Sequence, residues 1–323
     1  MDFYLVALLG LVLSFAGVYF LMPPYIKMLK QHNINQEVSE YALDEYKNKN
    51  KTPIMGGLLF VIVPVIVYLV INGRNLSDLS SVMALCSYVL FCIVGFSDDI
   101  LIILRRDNNG LSPKVKLIME FIFAILIFVI FKDTLSFKID IPVIKSTINL
   151  SWFIYLPLII LMFLGEANAV NFTDGMDGLC AGVSTIGLLA YLVILYLTTK
   201  YNTFILVSCV IGGLLAYLMY NHFPAQIFMG DSGSLALGGL FSSIALISNS
   251  EIALLLIGGV FLIEMICVCL QQISVRLFHK RIFAYTPIHY AFVLKGHKET
   301  TVVSRFYLLA LLLGIIGVLV VVF

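Results

Sequence analysis

The chain is 323 residues long, 61% hydrophobic and only 12% charged, with a mean hydropathy of +1.03. Soluble domains run at roughly 45–50% apolar and about 25% charged. This composition therefore excludes an ordinary soluble enzyme, a disordered chain and a basic nucleic-acid binder. The 20 Lys and Arg nearly cancel the 19 Asp and Glu, so the placement of the charges carries the information, not their sum.

A bilayer is crossed by about 20 apolar residues in a helix. Such runs fall at 3–22, 53–72, 82–97, 115–132, 152–171, 179–199, 203–220, 233–248, 251–275 and 302–323. They predict an all-α polytopic membrane protein of about ten transmembrane helices, forming one integral membrane domain over residues 1–323. The first run reads as a retained helix. Met1-Asp2-Phe3 carries no basic stretch, and Met22-Pro23-Pro24 is not a small-residue cleavage site. Between the fourth and fifth runs, Phe137-Lys-Ile-Asp-Ile and Lys145-Ser-Thr-Ile-Asn predict a short external β-hairpin. All six cysteines lie in or beside spans with no C-x-x-C pair, which predicts apolar fillers and neither a disulfide framework nor a zinc site.

Ten spans leave two sets of loops, one on each side. Five of the 20 basic residues (Arg74, Lys132, Lys138, Lys145 and Lys200) fall in one set and the remaining fifteen in the other. Basic residues concentrate in cytoplasmic loops, so the fifteen-charge face is expected to be cytoplasmic and both termini external. Asp98, Asp99, Asp174, Asp177 and Asp231 reach that same face, as do Asn168, Asn171, Asn221 and His289. Polar groups gathered at one interface point to an enzyme cleft on the cytoplasmic face. An ion-coupled transporter would keep them nearer the midplane, on broken helices.

Within Gly95-Phe-Ser-Asp98-Asp99, two adjacent carboxylates end the third helix. Carboxylates this close raise one another's pKa or recruit a cation such as Mg²⁺; the bland reading is a polar helix end, though Asp there opposes the helix dipole. Asn168, Asn171, Asp174 and Asp177 recur every three residues, lining one helical face or successive turns. Such a stripe suits a nucleotide base, sugar hydroxyls and a metal. In Asn221-His-Phe-Pro-Ala-Gln-Ile-Phe228-Met-Gly230-Asp231-Ser232, Asp231 or Ser232 is expected to be the N-cap of an apolar helix, and Phe228 offers a ring for stacking or for packing. His289, in Pro287-Ile-His289-Tyr290-Ala-Phe, reads by itself as a loop histidine, and the segment suits an interfacial helix. Lys49 and Lys116 are positive-inside residues that could also meet phosphate. Glu264 and Gln271, seven residues apart on one helix face, should face the protein interior, because charge is costly in lipid. Glu120 and Glu166 raise the same question.

Taken together these loops resemble the polyprenyl-phosphate N-acetylhexosamine-1-phosphate transferases, and most closely their MraY branch. The resemblance covers the whole chain, with Thr52-Pro53-Ile-Met-Gly56-Gly57 opening the second span and Gly110-Leu-Ser-Pro-Lys-Val-Lys116 opening the fourth. The double aspartate, the Asn171–Asp177 run and Phe228-Met-Gly-Asp231-Ser-Gly-Ser complete it, and Pro287-Ile-His289 favours the MraY branch over the WecA/TagO branch. The branch typically shows three consecutive histidines where this chain has His289-Tyr290-Ala291; Lys51 and Tyr46 also depart from its pattern.

The resemblance implies transfer of phospho-MurNAc-pentapeptide from UDP-MurNAc-pentapeptide to undecaprenyl phosphate in the bilayer of a bacterial plasma membrane, giving lipid I and UMP with Mg²⁺ as cofactor. The sister reaction, transfer of GlcNAc-1-phosphate to the same lipid, stays open, as does, more distantly, an ion-coupled transporter. By matching position, Asp98, Asp99, Asp231 and His289 are expected to be catalytic, and Asp231 and Asn171 to serve the metal. Lys49, Lys116, Asn171, Asp174, Gly175, Met176, Asp177, Asn221, Phe228 and Gln271 are expected to bind substrate. A homodimer is implied by resemblance alone, and no nucleic acid is expected.

Overall fold

The computed structural model describes residues 2–32, 34–35, 52–105, 110–141 and 144–323. The chain runs through α1 (Phe3–Gln31), α2 (Gly56–Asn72), α3 (Leu79–Arg105) and α4 (Pro113–Phe131), then β1 (Lys138–Ile141) and β2 (Ser146–Asn149). It continues with α5 (Trp152–Thr173), α6 (Leu179–Leu197), α7 (Tyr201–Asn221), α8 (Asp231–Ile247), α9 (Glu251–Ile257), α10 (Gly259–Phe278), α11 (Ile288–Leu294) and α12 (Glu299–Val322). Eight of these helices (α1, α2, α3, α5, α6, α7, α10 and α12) are long and apolar enough to cross a membrane. The other two expected spans are α8, at 17 residues, and α4, whose 19 residues include Lys114, Lys116 and Glu120. The expected hairpin forms as an antiparallel pair, with Lys138 opposite Asn149 and Asp140 opposite Thr147.

α8 is the hub. Every residue from Ser232 to Ile247 is buried, and α3 and α5 pack along it. Its Gly, Ala and Ser positions let neighbouring backbones approach, which is how helices associate where lipid supplies no hydrophobic drive. α1 lies against α7, and α12 against α6 and α9.

Three boundaries differ from the sequence reading. α3 does not end at Asp98 and Asp99 but runs on to Arg105, so both carboxylates project from within the helix. The other two departures have their causes in neighbouring elements. α1 does not stop at Met22 but continues through Pro23 and Pro24 to Gln31. A helix-interior proline leaves the carbonyl four residues earlier without its donor, and in lipid that group must find another. For Pro23 the freed carbonyl is Tyr19, which accepts a hydrogen bond from the Tyr220 hydroxyl at 3.0 Å. α2 repeats the device: Pro64 frees Phe60, whose carbonyl accepts from the buried Tyr88 hydroxyl at 3.2 Å. The run 251–275, read as one span, is instead α9 and α10 meeting at Gly258. The Glu166 carboxylate of α5 packs into the junction, where a Cβ on Gly258 would lie 2.8 Å from its Oε1.

Candidate active site

The site is built where the C-terminal part of α3 meets the start of α8. Gly95 makes that meeting possible, since a Cβ there would sit 2.0 Å from the Asp231 carbonyl oxygen. One turn further along α3, Asp99 takes the backbone N–H of Asp231 on Oδ1 and that of Ser232 on Oδ2, both at 3.0 Å. The first N–H groups of a helix have no partner within it, and a carboxylate there is favoured by the helix dipole. Asp99 is thus the cap of α8, supplied from another helix. This corrects the expectation that Asp231 or Ser232 caps α8 itself: Asp231 is the first helical residue, and the N-cap is Gly230 at φ 75°.

Its neighbour Asp98 turns elsewhere, its Oδ1 accepting the Leu111 N–H at 2.9 Å from the segment entering α4. Asp98, Asp99 and Asp231 each place a carboxylate oxygen within 4.8 Å of the others. Among the described residues this is the group of acidic, His or Cys side chains that could hold a metal, and three hard oxygen ligands suit a divalent cation such as Mg²⁺. Asp231 is the open corner, with its side chain 23% exposed against 2% for Asp99.

Asp231 is held from two further sides. Lys116, on the first turn of α4, forms an ion pair with its Oδ2. The Asn171 amide of α5 donates to its Oδ1 at 2.7 Å and to Ser234 Oγ at 2.9 Å. Asn171, expected to serve the metal, therefore stands here as the hydrogen-bond partner of a carboxylate in the acidic group. One turn deeper, the fully buried Glu120 accepts from the Asn168 amide at 2.7 Å. The Asn168–Asp177 stripe thus reaches α4 as well as α8.

The turn after α5 carries the rest of that stripe. Asp174 accepts the Gly230 N–H, and burial, reinforced by Asp231 and Asp99, pushes its carboxyl up to about 8. Asp177 is buried and its Oδ2 accepts the Ala225 N–H at 2.9 Å. Asn221, also buried, accepts from Gly178 N–H at 3.1 Å and donates to the Ile227 carbonyl at 2.9 Å. Both side chains hold the 222–230 loop in place. Phe228 is half-buried, and its backbone is clasped by the start of α2: its N–H donates to the Pro53 carbonyl, and its carbonyl accepts from Gly56 N–H, each at 2.8 Å. The Gly57 N–H reaches the Met229 carbonyl, also at 2.8 Å. Here the Thr52–Gly57 motif finds its part: the free N–H groups at the start of α2 secure the loop that delivers Asp231.

A third group comes from α10 and α11. Glu264 is fully buried, as the sequence required, and its Oε2 accepts the Ile288 N–H at 2.7 Å. Its Oε1 lies 3.1 Å from Nδ1 of His289, also fully buried. The carboxylate orients the ring and leaves Nε2 turned to the Asp174–Gly178 turn, where a Cβ on Gly175 would be 2.3 Å away. Among the described residues Nε2 has no hydrogen-bond partner. Gln271 spends its amide on the loop before α11, accepting from Ile282 and Phe283 N–H at 2.9 and 3.0 Å and donating to the Phe283 carbonyl at 3.1 Å.

The chain matches the family model for glycosyl transferase family 4 over residues 81–249, a stretch running from α3 through α8. It is 36% identical to the phospho-N-acetylmuramoyl-pentapeptide-transferase of Halalkalibacterium halodurans over 315 residues, 97% of each chain. The protein of the same name from Campylobacter jejuni is 38% identical over 92% of this chain and 89% of its own. The one from Clostridium novyi is 36% identical over 92% and 91%. The chain belongs to the phospho-N-acetylmuramoyl-pentapeptide-transferase family.

In this member of the family, the structure brings Asp98, Asp99, Asp231, Lys116 and Asn171 into one cluster and sets Asp174 against it through Gly230. Gly175 and His289 meet beside that turn, and Met176 is buried within it. Asp177, Asn221 and Gln271 have backbone groups as hydrogen-bond partners. Lys49 lies outside the described residues. Glu264 lies inside the protein, as its cost in lipid requires, and there it also orients His289. Pro53, Gly56 and Leu111 act through backbone atoms, which side-chain chemistry in the sequence does not reveal.

Proposed function

We propose that the protein transfers phospho-MurNAc-pentapeptide from UDP-MurNAc-pentapeptide to undecaprenyl phosphate, giving lipid I and UMP in a Mg²⁺-dependent reaction. The observation that carries this reading is the convergence of Asp98, Asp99 and Asp231 beside Lys116, in a chain whose relatives bear that transferase's name. Phosphoryl transfer needs little covalent chemistry from protein; it needs positioning and neutralisation of charge. When bound, Mg²⁺ would supply that neutralisation from the three carboxylates.

In this proposal a phosphate oxygen of the lipid attacks the β-phosphorus of the nucleotide. The new P–O bond forms as the bond to UMP breaks, and UMP leaves with the electron pair. Lys116 balances the negative charge of the phosphates, and Asp98 deprotonates or orients the lipid phosphate. Asn171 and Lys116 engage the two carboxylate oxygens of Asp231 separately. That favours a positioning and metal-holding part for Asp231 over attack by its carboxylate, and hence direct transfer over a covalent intermediate. The same reading sets the acidic face in the cytoplasm of a bacterial plasma membrane with both termini outside, supported by the fifteen basic residues on that side.

The test is UMP release by the purified protein with undecaprenyl phosphate, Mg²⁺ and either UDP-MurNAc-pentapeptide or UDP-GlcNAc. Release is expected with the first donor, and to vanish when the metal is chelated or the lipid omitted. Release with UDP-GlcNAc alone would assign the sister reaction. UMP formed without lipid would restore the two-step route, and no UMP from either donor would end the transferase reading.

A further inference from the structure

Where the resemblance leads one to expect a second histidine, this chain has Tyr290, and the structure shows what the phenol does there. Its hydroxyl donates to the Gly175 carbonyl at 2.7 Å. Its ring lies 4.2 Å from that of His289 and meets Tyr285 edge-on at 5.5 Å. Gly175 is pressed between the two side chains, since a Cβ there would lie 2.3 Å from His289 Nε2 and 2.9 Å from the Tyr290 oxygen. The arrangement is anchored from behind, because Glu264 fixes both the first turn of α11 and the His289 ring. Burial, then Tyr285, Glu299, Asp174 and Glu264 around it, push the phenol above its ordinary range, so the hydroxyl keeps its proton and donates.

We infer that Tyr290 is a positioning residue for the nucleotide donor: by holding the Gly175 carbonyl it fixes the Asp174–Gly178 turn, whose Asp174, Gly175, Met176 and Asp177 the family resemblance assigns to substrate binding. This rests on the transferase reading above. The turn is joined to the acidic site through Asp174 and Gly230 and to the 222–230 loop through Asp177 and Gly178. A shift at Gly175 is therefore felt by the donor's surroundings before it reaches the carboxylates. Tyr290 touches neither the metal group nor the lipid phosphate in this scheme, so its loss should spare the chemical step.

The experiment compares wild-type protein with Tyr290→Phe, which keeps the ring and removes only the donor. Steady-state kinetics are measured with the donor and lipid varied separately, together with UMP binding by calorimetry in detergent. The expected result is a rise of about three- to tenfold in KM for UDP-MurNAc-pentapeptide, the size of one hydrogen bond. UMP affinity should weaken by the same factor, with kcat within about twofold and KM for undecaprenyl phosphate unchanged. If Tyr290→Phe does not fold, Tyr290→Met, which also lacks a donor, carries the test, with donor KM raised in the same direction. An unchanged donor KM overturns the inference. So does an equal loss in kcat and both KM values accompanied by a lower melting temperature, which would mark a merely structural contact. If the wild type itself neither binds UMP nor turns over, the transferase reading fails and the inference with it.

Discussion

Asp98 and Asp99 are neighbours in sequence with different surroundings, and replacing each in turn by alanine separates their parts. Both substitutions remove one carboxylate from the same acidic group, so relief of like-charge repulsion is common to the two and cancels in the comparison. Asp98→Ala deprives one backbone donor, Leu111 N–H, of its acceptor. Asp99→Ala deprives two, Asp231 and Ser232 N–H, at a position only 2% exposed. A buried donor left unsatisfied costs about 1–3 kcal/mol, and the lost interaction with the α8 N-terminus adds about 0.3–1 kcal/mol. Asp99→Ala should therefore be less stable than Asp98→Ala by about 1–4 kcal/mol. At roughly 2 °C per kcal/mol for a chain of this size, that is a melting temperature lower by about 2–8 °C. The assay is thermal unfolding of both variants in the same detergent with saturating Mg²⁺, followed by intrinsic fluorescence. UMP release is measured in parallel; Asp98→Ala should lose activity while remaining the more stable of the two. Equal melting temperatures, or a lower one for Asp98→Ala, would refute the assignment of Asp99 as the cap of α8.

Further outcomes follow from other contacts. Asp231→Asn should lower UMP release by at least about a hundredfold and remove any rise in melting temperature on adding Mg²⁺, both read on the same preparation. Tyr88→Phe should cost about 1–3 kcal/mol by stripping the Phe60 carbonyl of its donor. In a Pro64→Ala background the helix regains its own N–H, so most of that cost should disappear; a double-mutant cycle showing no coupling would contradict the proline account. Asp174 has its carboxyl raised from 3.8 to about 8, so folding takes up a proton between those values. Its contribution is full below the lower pKa and is lost as pH rises through the upper one. The melting temperature of Asp174→Asn relative to wild type should accordingly climb from about pH 4 to about pH 8 and then level off; a flat difference would exclude the shift.

The spans were legible in the sequence because lipid leaves so little choice: every backbone group must be satisfied within the segment, and the segment must be long and apolar. The same constraint makes isolated charges conspicuous, which is how the double aspartate, Asp231, Lys116 and the inward-facing Glu264 stood out. The hairpin was legible for another reason, as two short strand-like runs between the fourth and fifth spans. The departures at α1 and at the α9–α10 junction were not legible, because their causes come from elsewhere in the chain. Tyr220 serves the carbonyl that Pro23 frees, and Glu166 occupies the junction at Gly258.

Within the site, the sequence by itself determined which polar side chains gather near the ends of apolar helices: carboxylates, an amide stripe, a lysine and a histidine. Only the tertiary structure decided which of them meet and what each one holds. Asp98 and Asp99 differ in their partners because α8 docks its N-terminus on one of them. Asn221, Asp177 and Gln271, read as substrate contacts, also hold backbone loops in place. His289 gains its orientation from Glu264, which lies on a different helix. A hydrogen bond depends on direction and on a partner within about 3 Å, and no spacing along one chain reports which distant backbone N–H will arrive there.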